Sequence, residues 1–247
     1  RYSEKLAFDV GGNSSLTAEL RTAVRKNQFE LHYQPRIDLA SGHLVGLEAL
    51  LRWNHPERGL LLPGEFLSAC EDMGLMKAIG YQVIQHACNA QIWLEEQNMQ
   101  NVDVAVNISF SQIEDDPFVE IVKDIIVRSG ANGSKIEFEL TESTIMQSSV
   151  EIKSRMNELR ELGISFSLDD FGTGFSQLNH LTELPISALK IDACFVRDLP
   201  HNENQEAVCC MIIEMGRRLG LVVVAEGAET HEQIQFLRDH HCHQVQG

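Results

Sequence analysis

Residues 164–174 read Ile164-Ser165-Phe166-Ser167-Leu168-Asp169-Asp170-Phe171-Gly172-Thr173-Gly174, an apolar-biased strand that runs into two adjacent carboxylates and then a glycine-punctuated turn. Two neighbouring acids repel if both are ionised and unpaired, so at a strand end they imply a cation, a proton or open solvent. The metal reading is the one to test against the rest of the chain. Gly172 and Gly174 permit backbone conformations that residues with a Cβ avoid, so the following loop can fold tightly over a ligand or move.

Working outward, the strand is preceded by helical spacing over 148–162, stopped by Gly163, and before that by a strand over 136–140 that leads into Thr141-Glu142. The same unit recurs on both sides. Upstream, 102–109 alternates as a strand and 117–129 is spaced as a helix with Pro117 in its first turn. Downstream, strands over 186–191, 221–225 and 243–246 alternate with helical stretches at 176–184, 204–219 and 230–238. Nearer the start, 16–27, 63–73 and 76–97 read as helices. Two strands, one over 29–33 ending at Gln34-Pro35 and one over 44–53, are joined by a short turn at 38–42 and should form a hairpin. Strand-helix alternation with one opening hairpin predicts a (β/α) barrel with functional residues where strands end.

The 247 residues suffice for one large α/β barrel or two modest domains, between which length alone does not choose, and 43% hydrophobic with 23% charged residues is ordinary for a globular protein. No apolar run approaches the roughly 20 residues that span a bilayer, and no secretory leader pattern opens the chain, which reads as cytosolic. A formal charge of -16 argues against broad binding to a DNA or RNA polymer. An anionic ligand can still dock where divalent ions dominate the local field. The six cysteines include no C-x-x-C pair and suit reduced thiols. Residues 1–15, with Gly11-Gly12-Asn13-Ser14-Ser15, read as a linker or the tail of an upstream domain, leaving 16–247 as the folded unit.

The polar residues at predicted strand ends are Glu48, Asn107, Glu139, Asp169, Asp170, Lys190, Glu226 and Gln246, drawn from seven strands. A closed barrel brings such ends to one mouth. Oxygen ligands without a cysteine or histidine set suit hard cations such as Mg²⁺, Mn²⁺ or Ca²⁺, and two such ions stabilise both oxygens of a phosphoryl displacement. Asp169 is the natural bridge. Each residue alone has a plainer reading: Glu48 or Glu139 as a strand-end acid in solvent, Asn107 as a turn cap, Lys190 as a structural partner of Asp192 or another acid, Glu226 as a helix cap. The same kind of position filled strand after strand favours the joint site. His240-His241-Cys242-His243 lacks the separated pairs of a zinc site, and Cys209-Cys210 reads as core packing.

At Glu48-Ala49-Leu50 the chain resembles the EAL domain family. The triplet occurs with Tyr33-Gln34-Pro35, Leu51-Arg52-Trp53, Val106-Asn107-Ile108-Ser109, Glu139-Leu140-Thr141-Glu142, Asp169 to Gly174, Leu189-Lys190-Ile191-Asp192 and Ala225-Glu226-Gly227, in the family's order. The resemblance implies a modified TIM (β/α)8 barrel, first strand antiparallel, that hydrolyses the bacterial second messenger cyclic di-GMP to linear pGpG by two-metal in-line attack of water. It implies two Mg²⁺ or Mn²⁺ ions, with Ca²⁺ inhibitory. By matching position, Glu48, Asn107, Glu139 and Asp169 would hold the first ion, and Asp169 with Asp170 the second. Lys190 would orient the water, Glu226 would support its activation, and Gln246 would lie near the second ion and bind substrate. Gln34 and Arg52 would contact substrate, and Glu142 would steady the glycine loop. The resemblance also implies a homodimer coupled to the loop after Asp170, and an upstream GGDEF or sensor domain that could anchor the full-length protein to a membrane.

Two departures stand out. After Gly174 the family commonly has an aromatic and paired serines, where this chain has Phe175-Ser176-Gln177, which bears on loop dynamics. The family usually continues past the position of Gln246 through an aromatic-containing segment and a closing helix, so the C-terminal end is expected to be truncated. Beside the phosphodiesterase stand two alternatives: a receptor that binds cyclic di-GMP without turnover, and an interaction module whose dimer face matters more than its pocket.

Overall fold

A computed structural model describes residues 16–141, 150–173 and 183–247. Among these described residues are nine strands: β1 (Phe29–Asp38), β2 (Leu44–His55), β3 (Gly59–Leu61), β4 (Asp103–Asn107), β5 (Ile136–Thr141), β6 (Ser165–Phe171), β7 (Ala188–Ile191), β8 (Val222–Glu226) and β9 (Gln244–Gln246). Their order is β1-β9-β8-β7-β6-β5-β4-β2-β3, and a β1–β2 pairing closes the ring. All barrel neighbours are parallel except β1, which runs antiparallel to both β2 and β9. The eight-stranded modified TIM barrel with its first strand reversed is therefore as expected. The short β3 lies outside the ring, antiparallel on the far end of β2, and went unread in the sequence.

The hairpin turn is set by Asp38, whose Oδ1 accepts bonds from the Ser41 N–H (2.7 Å) and hydroxyl (2.6 Å). Contrary to expectation, β1 does not stop at Gln34-Pro35 but runs on to Asp38. A proline is tolerated there because β9 pairs with β1 only from Arg36 onward, so no ladder on that side needs the missing N–H. This extension carries Arg36 into the barrel.

Helices cover the outside. Among them are α1 over 16–25, α2 (Leu67–Asp72), α3 (Met76–Glu96), α4 (Phe110–Ile113), α5 (Phe118–Ser129), α6 (Val150–Glu161), α7 (Glu203–Arg218) and α8 (His231–Asp239). The single helix expected over 63–73 is a 3₁₀ turn, Pro63–Glu65, followed by α2, and α4 was not foreseen. Pro117 caps α5 rather than lying within it. The expected helical stretch at 176–184 falls largely outside the described residues.

Parallel strands buried on both faces give two cores. On β5, Ile136, Phe138 and Leu140 point outward, with Phe138 against Phe118 of α5 and Phe166 of β6 at 6.2 and 6.0 Å between ring centroids. Glu137 and Glu139 occupy the alternate, inward face. Most TIM barrels fill that interior with branched apolar side chains. Here the inward positions include Arg36, Glu48, Glu137, Glu139, Ser167, Asp169, Lys190 and Gln246, every one buried.

Candidate active site

Lys190 is the centre of the upper interior layer. It sits on β7 between Leu189 and Ile191, which pack outward, and its side chain is 1% exposed. Its Nζ lies 2.8 Å from Glu139 Oε2, 3.2 Å from Glu48 Oε2, 3.3 Å from Asp169 Oδ1 and 2.6 Å from Glu226 Oε1. The contacts to Glu139 and Glu48 are hydrogen bonds, and those to Asp169 and Glu226 are charge contacts. Asp192, the rival partner offered by the sequence, does not touch Lys190. It caps the 3₁₀ turn Ala193–Phe195 through the Cys194 N–H (2.8 Å) and faces Asp170.

Two amides complete the layer. Asn107 Nδ2 donates to Glu48 Oε1 at 2.9 Å. Gln246 Nε2 donates both to Glu48 Oε2 and, at 3.1 Å, to Gln34 Oε1. Lys190 is the next-to-last residue of β7, near a strand end as expected, but Glu48 is not. Glu48 lies inside β2, which continues past the rim to His55. Alternation places Arg52 on the Glu48 face, farther along β2, where its Nη1 donates to Leu51 O at 2.9 Å, apart from the carboxylate cluster. Glu142 and the loop from Gly174 onward, including Gln177, lie outside the described residues.

The backbone explains how two consecutive acids stay close together. Strand side chains normally alternate, but the β6–β7 register breaks between Leu168 and Phe171, and Asp170 has φ of 55°. The left-handed residue re-aims the chain, and aspartate tolerates that conformation better than most side chains. The Asp170 N–H donates to Asp169 Oδ1 at 2.9 Å, locking the pair. Gly172 follows with φ of 97°, and a Cβ there would meet a Phe195 ring carbon at 2.9 Å.

The charges do not balance. Glu48, Glu139, Asp169 and Glu226 surround one ammonium, with Asp170 nearby. Burial pushes Glu139 well above the ordinary carboxylate range, with Glu48, Asp169 and Glu137 reinforcing it against Lys190. Burial likewise lifts Glu226 to about 7, reinforced by Asp169 and Glu48 against Lys190. Asp170 is raised by burial, then by Asp169 and Asp192. Burial works against charge on Lys190, but its acids outweigh that and hold it firmly protonated. Glu139 Oε1 is buried without a hydrogen-bond partner.

Among the described residues no three acids, histidines or cysteines already stand as a metal cage, because the acids converge on Lys190 instead. The donor set nonetheless suits a hard divalent ion: carboxylate oxygens in excess of positive charge, an amide carbonyl and an orphaned Glu139 oxygen. The 240–243 segment builds no zinc site. His240 packs on Phe236 with ring centroids 4.1 Å apart, and His243 Nδ1 accepts from the Val223 N–H at 3.0 Å. Of the pair expected to pack in the core, Cys209 is buried but Cys210 only half-buried.

The family model for the EAL domain matches residues 17–247. The chain belongs to the EAL domain family. It is 39% identical, over its whole length, to the cyclic di-GMP phosphodiesterase NbdA of Pseudomonas aeruginosa, of which it covers 31%. It is also 39% identical to the cyclic di-GMP phosphodiesterase PA2567 of the same organism, covering 100% of this chain and 42% of that one. The EAL fold described here overlays the structure titled PaMucR phosphodiesterase, c-di-GMP complex, with a TM-score of 0.89 and 39% identity over 94% of each chain. The chain spans about a third of the length of the first two of its curated relatives. No helix among the described residues is long and apolar enough to cross a membrane.

Sequence reading missed Arg36 and Glu137, which meet beneath the site at 2.9 and 2.8 Å. It also missed Asp192 as the neighbour of Asp170. An arginine after Gln34-Pro35 and a glutamate two residues before Glu139 were the available signals; both share inward parity with residues already singled out.

Proposed function

We propose that this EAL domain hydrolyses one phosphodiester of cyclic di-GMP, giving linear pGpG, with two Mg²⁺ or Mn²⁺ ions. The observation that supports it is the convergence of five carboxylates, two amides and one lysine at the barrel mouth. Glu48, Asn107, Glu139 and Asp169 would hold the first ion, and Asp169 with Asp170 the second. When bound, the ions supply charge neutralisation to the attacking and departing oxygens. Water adds to phosphorus in line, the bond to the 3′-oxygen breaks, and a 5′-phosphate and a 3′-hydroxyl result.

The chain's own groups set the geometry. Lys190 orients the water through its N–H donors, and Glu226 takes up its proton. Gln246 fixes Glu48 and Gln34 together, so substrate contact at Gln34 and ion binding at Glu48 share one hinge point. Arg52, standing beyond Glu48 on the same face, meets the anionic substrate, and Glu142 steadies the glycine loop. Calcium, larger and more permissive in geometry, occupies the site without aligning the reaction and inhibits. We further propose that the domain works as a homodimer, in the cytoplasm, downstream of a GGDEF or sensor domain.

The test is pGpG formation by the purified chain with Mg²⁺, compared with Asp169→Asn. Turnover by the wild type and its loss in the variant are expected. Intact cyclic di-GMP after incubation of the wild-type dimer with Mg²⁺ and Mn²⁺ would overturn the reading. A receptor without turnover would show binding that EDTA leaves unchanged.

A further inference from the structure

Beneath the Lys190 layer, the barrel is crossed by a second buried ion pair. Arg36 on β1 meets Glu137 on β5 through two parallel bonds, Nη1 to Oε1 at 2.9 Å and Nη2 to Oε2 at 2.8 Å. Strands β1 and β5 are not neighbours; β2 and β4 lie between them on one side and four strands on the other. The pair is therefore a brace across the interior. Arg36 is 4% exposed and Glu137 5%, so it contributes nothing at the surface.

Three observations tie the brace to the layer above. Glu137 is two residues before Glu139 on the same face of β5, and Arg36 is two residues after Gln34 on the same face of β1. Arg36 is also the register partner of Gln246. Room for the guanidinium is made by Gly46, two residues before Glu48 on β2: a Cβ there would stand 2.7 Å from Arg36 Nε and 2.8 Å from Nη2. Gly46 is not in the left-handed region, so its lack of a side chain serves space rather than backbone freedom. Each end of the brace thus lies one alternation below a group of the upper layer.

We infer that Arg36 and Glu137 are positioning residues that set the spacing of Glu139, Glu48 and Gln34 for divalent-ion binding. This rests on the two-metal reading given above. A guanidinium held bidentately fixes both distance and plane, which a pair of apolar side chains of similar volume would not. Groups that orient metal ligands typically change ion affinity or activity by ~10–100-fold when removed.

The test measures Mn²⁺ binding by calorimetry and steady-state turnover in the wild type, Arg36→Met/Glu137→Leu, Arg36→Lys and Gly46→Ala. The double variant removes both charges together and keeps an apolar core, so no lone buried charge remains. Its Mn²⁺ affinity and its kcat should each fall ~10–100-fold with KM for cyclic di-GMP little changed. Arg36→Lys keeps the charge and should recover part of the affinity. Gly46→Ala displaces the guanidinium without removing any charge and should weaken Mn²⁺ binding several-fold. Wild-type affinity and kcat in a folded double variant would overturn the inference. If the double variant does not fold, wild-type affinity in both Arg36→Lys and Gly46→Ala would do the same. Failure of the wild type itself to bind Mn²⁺ would instead sink the two-metal reading, and this inference with it.

Discussion

Two buried charge clusters share one barrel and differ in balance. The lower one, Arg36 with Glu137, pairs one cation with one anion bidentately and so balances in charge, with only Arg36 Nε lacking a hydrogen-bond partner. The upper one sets Lys190 against Glu48, Glu139, Asp169 and Glu226, with Asp170 alongside, and leaves a Glu139 oxygen without a hydrogen-bond partner. A charge-balanced pair is a structural element. A cluster with surplus negative charge, kept out of water, favours further positive charge, and the proposed metal site rests on that imbalance.

The comparison can be broken by experiment. The largest effect is expected from Lys190→Met: turnover should fall by ~10²–10⁴-fold, as for loss of a group that handles the reacting water. In EDTA the same variant should lose ~3–5 kcal/mol of folding stability, because the acids lose their one cation. Denaturant melts with and without Mg²⁺ check this, and Mg²⁺ should restore part of the loss. Next, Arg36→Met alone should cost ~3–5 kcal/mol by stranding Glu137, and here Mg²⁺ should restore little. Equal rescue of both variants by Mg²⁺ would erase the distinction between the clusters.

A pH series separates the clusters again. Glu226 is raised to about 7 in the folded chain, so folding favours its protonated form. That preference is fully felt below the ordinary carboxylate pKa and is lost as pH rises toward about 7, so the metal-free protein should weaken over that interval. Lys190, raised further still, keeps its stabilising contribution throughout this range. Glu137 behaves oppositely. Burial resists its charge, but Arg36 outweighs burial and holds its pKa below the usual value. Its contribution is present above the ordinary carboxylate pKa and is lost as pH falls through the depressed one. Melting temperatures in EDTA from pH 3 to 8 should thus decline at both ends, and Mg²⁺ should flatten only the upper decline. The smallest effect is expected from Gly172→Ala, at ~1–3 kcal/mol, from the left-handed backbone and the Phe195 contact.

Much of this was legible before any coordinates. Strand-helix alternation located the barrel, and the recurrence of polar residues at predicted strand ends gathered Glu48, Asn107, Glu139, Asp169, Lys190, Glu226 and Gln246, which the fold brings together. What escaped depended on closure of the ring. Nothing local ties Arg36 to a residue 101 positions away, and the passage of β1 through Pro35 follows from where β9 begins. The left-handed backbone at Asp170 was equally hidden, since two adjacent acids on a regular strand would diverge. Asp192 looked like a partner for Lys190 because it is near in sequence, but it lies just past the end of β7 and turns toward Asp170.

The central claim is that the surplus charge around Lys190 is a site for divalent ions acting on a cyclic dinucleotide. The most direct measurement is pGpG production from cyclic di-GMP by this chain, with Mg²⁺ titrated in from an EDTA-treated start. Production that is absent in EDTA and rises saturably with Mg²⁺ is the predicted result. Binding of cyclic di-GMP that is indifferent to EDTA, with no pGpG at any Mg²⁺ or Mn²⁺ concentration, would contradict it.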